Sequence, residues 1–269
     1  MGRGTWSWIV PGGLWEIARP LIPPSRRRPQ GGGTQDTPDE TLFAAIVYVL
    51  VSGCAWRQLP PCFGISKSTA HRRFLIWSRA GVWGRLHEAV LHRLDDAGLI
   101  DVTRVVLDTA HVRAKGGGEH TGPSPVDRGK PGSKMHILSD ANGLPLLVGV
   151  SAGNTHDSEG LKPMVEGHQT RHDPHRGRYF KPQRLHADKA YDRADLRRWL
   201  RGKRIGVRIA RKGIESSERL GRRRWVIERT MSWLSGYRRL SPRYERDPRA
   251  FLGLAATLGC YKRLIRLTT

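Results

Sequence analysis

Thr103-Arg104-Val105-Val106-Leu107-Asp108 decides how the second half of this chain folds. An unbroken apolar triplet with two β-branched residues, behind a β-branched threonine, suits a buried strand, and the run reaches an aspartate. Up to about residue 100 the apolar residues recur with helical spacing; from about 101 short extended runs alternate with helical ones. Residues 133–140 read as a strand, Ala141-Asn142-Gly143 as a turn and 144–150 as the returning strand of a hairpin. A helix over 158–169 follows, then Arg184-Leu185-His186-Ala187-Asp188, a second short strand that reaches an aspartate. A helix over 193–201, a strand over 205–210, a helix around Glu228 and a terminal helix over 249–267 complete the order. This alternation predicts an α/β fold, a mixed sheet with helices on each side. Residues 115–133, rich in Gly, Pro, Lys and Arg, read as a mobile loop.

Working toward the N-terminus, residues 38–100 are mostly helical. Pro38-Asp39-Glu40 opens a helix with acidic residues in its first turn, and Gly53 closes it. Trp56-Arg57-Gln58-Leu59 is a short second piece, and residues 83–96 form a further helix stopped by Gly98. Between them, in residues 65–77, Ser66 or Ser68 is the N-cap and Ala70, Phe74 and Trp77 fall at i, i+4 and i+7 as a core face. Lys67, Ser68, His71 and Arg72 project from the other faces. That is the layout of a recognition helix in a helix-turn-helix unit, basic and small-polar at its N-terminal end. Residues 1–37 form an N-terminal arm and basic linker: a short helix at Leu14-Trp15-Glu16-Ile17-Ala18, prolines at 20, 23 and 24, then Arg26-Arg27-Arg28 and Gly31-Gly32-Gly33. This linker either touches phosphate backbone or serves as a solvated tether.

The chain has 269 residues, room for one large domain or two ordinary ones, and a net charge of +23. So basic a chain implies a polyanionic partner, with DNA or RNA first. No signal peptide or long apolar span is evident, so a membrane surface is the weaker candidate. Cys54, Cys62 and Cys260 are odd in number and fit no zinc spacing, as expected of incidental thiols in a reducing cytoplasm.

Arg222-Arg223-Arg224-Trp225-Val226-Ile227-Glu228-Arg229-Thr230-Met231-Ser232-Trp233-Leu234 reads as a helix with one carboxylate among four arginines. Ile227, Met231 and Leu234 form its apolar side, widened by Val226 and Trp233. Alone, Glu228 would be a surface salt bridge. With Asp108 and Asp188 at strand ends, three carboxylates can meet around hard divalent cations and leave positions open for water and phosphate. Other acids have local explanations: Asp192 and Asp157 as helix caps, Asp140 before a turn, Asp101 ahead of its strand. His111, His136 and His186, and separately His168, His172 and His175, raise the question of zinc. Their spacing without nearby cysteine favours polar surface residues or phosphate donors. Trp225 is expected in the core, with stacking on an unpaired base as the alternative.

Four stretches together resemble a known family. They are Leu107-Asp108-Thr109-Ala110-His111-Val112-Arg113-Ala114-Lys115, Asp127-Arg128-Gly129-Lys130-Pro131-Gly132-Ser133-Lys134, His186-Ala187-Asp188-Lys189-Ala190-Tyr191-Asp192 and Trp225-Val226-Ile227-Glu228-Arg229-Thr230. The chain resembles the bacterial insertion-sequence DDE transposases, in particular the group named after insertion sequence five. The resemblance implies a ribonuclease-H-like catalytic domain over residues 101–269. It implies a triad of Asp108, Asp188 and Glu228 holding two Mg2+ ions, with Mn2+ as a substitute. It implies DNA as partner, both terminal inverted repeats and target, and a homodimer in the synaptic complex. Arg224 matches the family's arginine, while Gly221 stands where a Tyr would be and Ser235 where a Lys would be; Arg238 or Arg239 replaces the latter. Arg224, Arg229, Lys130 and Lys134 are then expected to hold phosphates. The rivals are a ribonuclease-H-like nuclease or resolvase without strand transfer, and a transposase-derived DNA-binding protein without catalysis.

Overall fold

A computed structural model describes residues 6–24, 37–170, 181–211, 213 and 217–269. The basic linker of residues 26–33, and His172 and His175, lie outside the described residues.

The helical half comes first. α1 (Leu14–Ala18) runs into a short 3₁₀ turn, and α2 (Asp39–Ser52) is buried from Leu42 to Leu50 except for the half-buried Tyr48. Gly53 takes a φ of 68° at its end, so the chain turns away where a side chain would be strained. α3 (Lys67–Arg79) is capped by Ser66, whose hydroxyl accepts the Thr69 N–H, and buries Ala70, Phe74 and Trp77 as its spacing predicts. α4 (Val82–Asp96) follows after Gly81.

β1 (Val105–Arg113), β2 (Gly122–Pro123), β3 (Pro131–Ser139), β4 (Pro145–Ala152), β5 (Arg184–Ala187) and β6 (Gly206–Ile209) form one mixed sheet. Its order is β4-β3-β1-β5-β6, with β2 beside the first residues of β3. β3 runs antiparallel to β1 and β4; β5 and β6 run parallel to β1 and to each other. α5 (Leu161–Thr170), α6 (Ala194–Gly202), α7 (Ser217–Ser235) and α8 (Arg249–Thr268) complete the chain. This is the mixed, helix-flanked sheet expected of a ribonuclease-H-like domain. α8 lies along α4 and also packs on β4 and α7, so the helical half and the sheet share one buried core.

Two expectations change. β1 does not end at Asp108: it runs on to Arg113 because β3 pairs with it along that whole length, from Val106 beside Ser139 to Arg113 beside Gly132. The segment between β1 and β3 is not a free loop. Arg243, buried between α7 and α8, donates to the carbonyls of Gly117 and Glu119 and to the hydroxyls of Thr121 and Ser133. Those bonds fasten the segment, and they give the buried Arg243 guanidinium its hydrogen-bond partners.

Candidate active site

Parallel pairing of β1 and β5 sets Val105 beside Leu185 and Val106 beside His186. That offset of 80 residues (185 minus 105) equals the separation of Asp108 and Asp188 (188 minus 108), so both carboxylates stand at one level of neighbouring strands. Neighbouring strands are about 4.8 Å apart, within reach of a shared cation. Asp188 follows β5 directly and caps the 3₁₀ turn Lys189–Tyr191, its Oδ1 accepting the Ala190 N–H at 2.8 Å. Oδ1 of Asp108 accepts the Thr109 N–H at 2.9 Å. Both side chains are half-buried.

Side chains alternate along β1, so the face of Asp108 follows from its neighbours. Asp108 shares a face with Ala110 and Val112, paired across to Ile137, Met135 and Ser133. Met135 and Val150 on that face line one small cavity together with Leu252 of α8. The opposite face carries Thr109, His136 and Gly149, where a Cβ on Gly149 would lie 2.9 Å from Met164 of α5. α7 packs on β1, β3 and α8, hence on the Asp108 face. Glu228 is exposed on α7. Among the described residues no three His, Cys, Asp or Glu side chains stand close enough together to hold a metal. The fold thus brings two aspartates to one level and the helix of Glu228 to the same face, without gathering the three into a ligand set.

Beneath the aspartates runs a buried polar chain whose combination the sequence does not announce. The Tyr191 hydroxyl lies 2.7 Å from Thr109 Oγ1, which is 3.1 Å from His136 Nδ1; His136 Nε2 is 2.7 Å from Ser151 Oγ. The chain crosses from the turn after β5 to β1, β3 and β4. Burial pushes His136 down to about 4, against the pull of Asp157, so the imidazole is neutral at pH 7. Burial raises the Tyr191 hydroxyl, with Asp108, Asp157 and Asp188 adding to the rise and the Thr109 bond opposing it. His136 is therefore neither a surface group nor a phosphate donor. The available signal was the alternation itself, which turns Thr109 away from Asp108. His168 and His186 are also buried, whereas His111 is exposed.

The acids with local explanations divide. Asp140 is fully buried and accepts from the N–H groups of Asp101, Asn142 and Leu144, closing the hairpin turn as expected. Asp157 is no cap: it pairs with Lys134 at 2.7 Å, and His156 caps the turn ahead of α5. Asp192 is not the N-cap of α6 either, because Arg193 occupies that position and Asp192 pairs with Arg197 at 2.7 Å.

The expected phosphate-holding cations also divide. Lys67, Ser68 and Arg72 are exposed on α3, as are Lys130 and Arg238 elsewhere. His71 is half-buried against the Trp56 ring, 5.0 Å between centroids. Lys134 is buried by its pairing with Asp157 and presents no surface to DNA. Arg239 is likewise buried, bonded to Glu245 and the Cys54 carbonyl. Arg229 donates to the Asn142 carbonyl at 2.6 Å and lies 4.7 Å and 5.0 Å from the ring centroids of Trp225 and Trp233. Both indoles face solvent, at 51% and 43% exposure, so neither joins the core; Thr230, fully buried, does. The side chain of Arg224 lies outside the described residues.

A family model described as the transposase DDE domain matches residues 93–262, and one for transposases of the IS4/5 family matches residues 11–87. A transposase for insertion sequence element IS402 of Burkholderia cepacia is 40% identical over 153 residues, covering 54% of this chain and 71% of the relative. An uncharacterized 16.2 kDa protein of insertion element IS402, from the same organism, is 37% identical over 119 residues, 44% of this chain and 81% of the relative. The crystal structure of a pre-cleavage Mos1 transpososome matches over 90% of this chain and 81% of its own, at 12% identity and a TM-score of 0.30. That likeness is too slight to bear on the fold or the reaction.

Proposed function

This chain belongs to the DDE transposases of bacterial insertion sequences, and from that premise we propose that Asp108, Asp188 and Glu228 are its catalytic triad. It is a DNA transposase, and its family works with divalent metal. The observation that carries the triad is the shared offset of 80 residues, which levels Asp108 with Asp188 while α7 covers the same face. The donor set fits hard cations: carboxylate oxygens, with no thiolate among them. Two Mg2+ ions, replaceable by Mn2+, would supply the charge that activates the attacking oxygen and stabilises the leaving one.

The chain's own residues do the rest. Asp108 and Asp188 are oriented by the Thr109 and Ala190 N–H groups. Glu228 completes the set from α7 when DNA is bound. Water attacks the phosphodiester at the element's end and breaks its P–O3′ bond; the freed 3′-OH then attacks a phosphodiester of target DNA at the same site and displaces that strand's own 3′ oxygen. Residues 38–100 form the DNA-binding region, with Lys67, Ser68 and Arg72 of α3 on the terminal inverted repeats; residues 101–269 form the catalytic domain. Arg224, Lys130 and Arg238 hold phosphates. Two copies pair in the synaptic complex, in the cytoplasm and on the nucleoid.

Replacing Asp108, Asp188 or Glu228 with Ala is expected to lower cleavage of an inverted-repeat duplex by about 1000-fold or more. Duplex affinity should stay within about twofold. Cleavage surviving all three changes would sink the triad. Pre-cut ends that are never joined to target DNA would favour the nuclease reading. Binding without cleavage in the unaltered protein would favour the non-catalytic one.

A further inference from the structure

We propose that the exposed edge of α7 from Trp225 to Trp233, continued by the cleft between α7 and α8, is a binding track for single-stranded DNA. Trp225, Arg229 and Trp233 recur at i, i+4 and i+8, one above the other on the helix. The Arg229 guanidinium lies within cation–π distance of both rings and is anchored to the Asn142 carbonyl, while its Nε is buried without a hydrogen-bond partner. An anchored cation between two indoles fixes their orientation while about half of each ring remains open. Exposed, pre-ordered indoles are costly on a surface that meets only water, and they are the platforms on which unpaired bases stack.

Trp233 also lines the second feature, a cleft of about 440 Å³ between α7 and α8. Tyr237 adds another ring, Lys262, Arg263 and Arg266 supply three cations, and among the described residues no Asp or Glu lines it. Rings beside cations suit a strand whose bases and phosphates are both accessible. A duplex, with its bases stacked inside, would use only the cations. The track begins three residues before Glu228, and so rests on the reading of that helix as part of the active site. The strand it fits is the one left unpaired at a cut end.

The test uses the full-length protein, a twelve-nucleotide oligothymidylate and an inverted-repeat duplex, with binding read by tryptophan quenching and by fluorescence anisotropy. The double variant Trp225→Ala, Trp233→Ala is expected to lose about tenfold or more in affinity for the single strand. Its duplex affinity and its melting temperature should not change. Lys262→Ala, Arg263→Ala, Arg266→Ala together should flatten the single-strand salt dependence by about two units of log–log slope. Single-strand affinity within twofold of the parent would overturn the proposal. So would an equal loss on the duplex, which marks a plain phosphate surface, or a loss of self-association with DNA binding intact, which marks a contact between copies. Survival of cleavage in the Asp108→Ala protein would overturn the triad but leave these binding results standing.

Discussion

His136, 3% exposed on β3, bonds to Thr109 and Ser151 and is held down to about 4 by burial. An unfolded histidine titrates near 6.5, so between pH 6.5 and about 4 the unfolded chain binds a proton that the folded chain refuses. Stability from this residue is complete above pH 6.5 and is lost as pH falls toward 4, by about 3 kcal/mol in total. His136→Asn should flatten the pH dependence of the urea midpoint over that window; an unchanged slope would place the acid sensitivity elsewhere. Residue types alone singled out the two aspartates and Glu228 as candidates, because carboxylates on strands and on a basic helix fit phosphodiester chemistry. They did not show that Lys134 is consumed by Asp157, or that His136 is buried under Thr109 and Tyr191. Those outcomes depend on which face of β1 and β3 each side chain takes and on what lies across it. A pattern that reads each strand singly does not contain that information.

The elements were more legible than their contacts. The caps of α2 and α3, the hairpin turn at Gly143 and the alternation of strand and helix all follow from local chemistry that tertiary packing did not override. The length of β1 was missed because a partner strand, and not the local sequence, extends it to Arg113. The seat of α7 was missed for the same reason. Gly143 has a φ of +87°, and a Cβ there would lie 2.8 Å from Val226 Cγ1 and 3.0 Å from Thr230 Oγ1. The Thr230 hydroxyl donates to the Gly143 carbonyl, so hairpin and helix fit each other at this point. Gly143→Ala combines left-handed strain with a clash and should cost about 2–4 kcal/mol in urea melts. Because it displaces the helix of Glu228, cleavage should fall further than inverted-repeat binding. Equal losses of both would mean that the turn does not set the helix. For α3, Lys67→Ala with Arg72→Ala should lower the log–log salt slope of duplex binding by about two and weaken it several-fold. An unaltered slope would remove this helix from the DNA surface.

At the scale of the whole molecule, composition anticipated a polyanionic partner and the order of elements anticipated a mixed sheet, but neither revealed how the halves are joined. The join is α8. Phe251 stacks on Phe74 of α3 with centroids 4.5 Å apart, and a Cβ on Gly253 would lie 3.2 Å from Trp83 of α4. Leu252 lines one small cavity with Met135 and Val150 of the sheet, and the Tyr261 hydroxyl donates to the Gly12 carbonyl at 2.7 Å. One helix is thus core to both halves, and residues from α1 to α8 belong to a single buried cluster. Removing residues 1–100 would bare Phe251 and its neighbours on α8, each large side chain worth about 1.5–3 kcal/mol when buried. A few such losses match the whole stability of an ordinary domain, about 5–15 kcal/mol. The full chain should therefore melt in one transition, with near-UV and far-UV circular dichroism changing together. A fragment of residues 101–269 should aggregate or show the exposed apolar surface and missing near-UV signal of a molten state. A fragment with sharp near-UV structure and cooperative melting would make α8 a docking surface between two independent domains. In that case DNA bound by α3 would reach the carboxylates through a movable joint; a shared core instead holds α3 in fixed register with the face that carries Asp108.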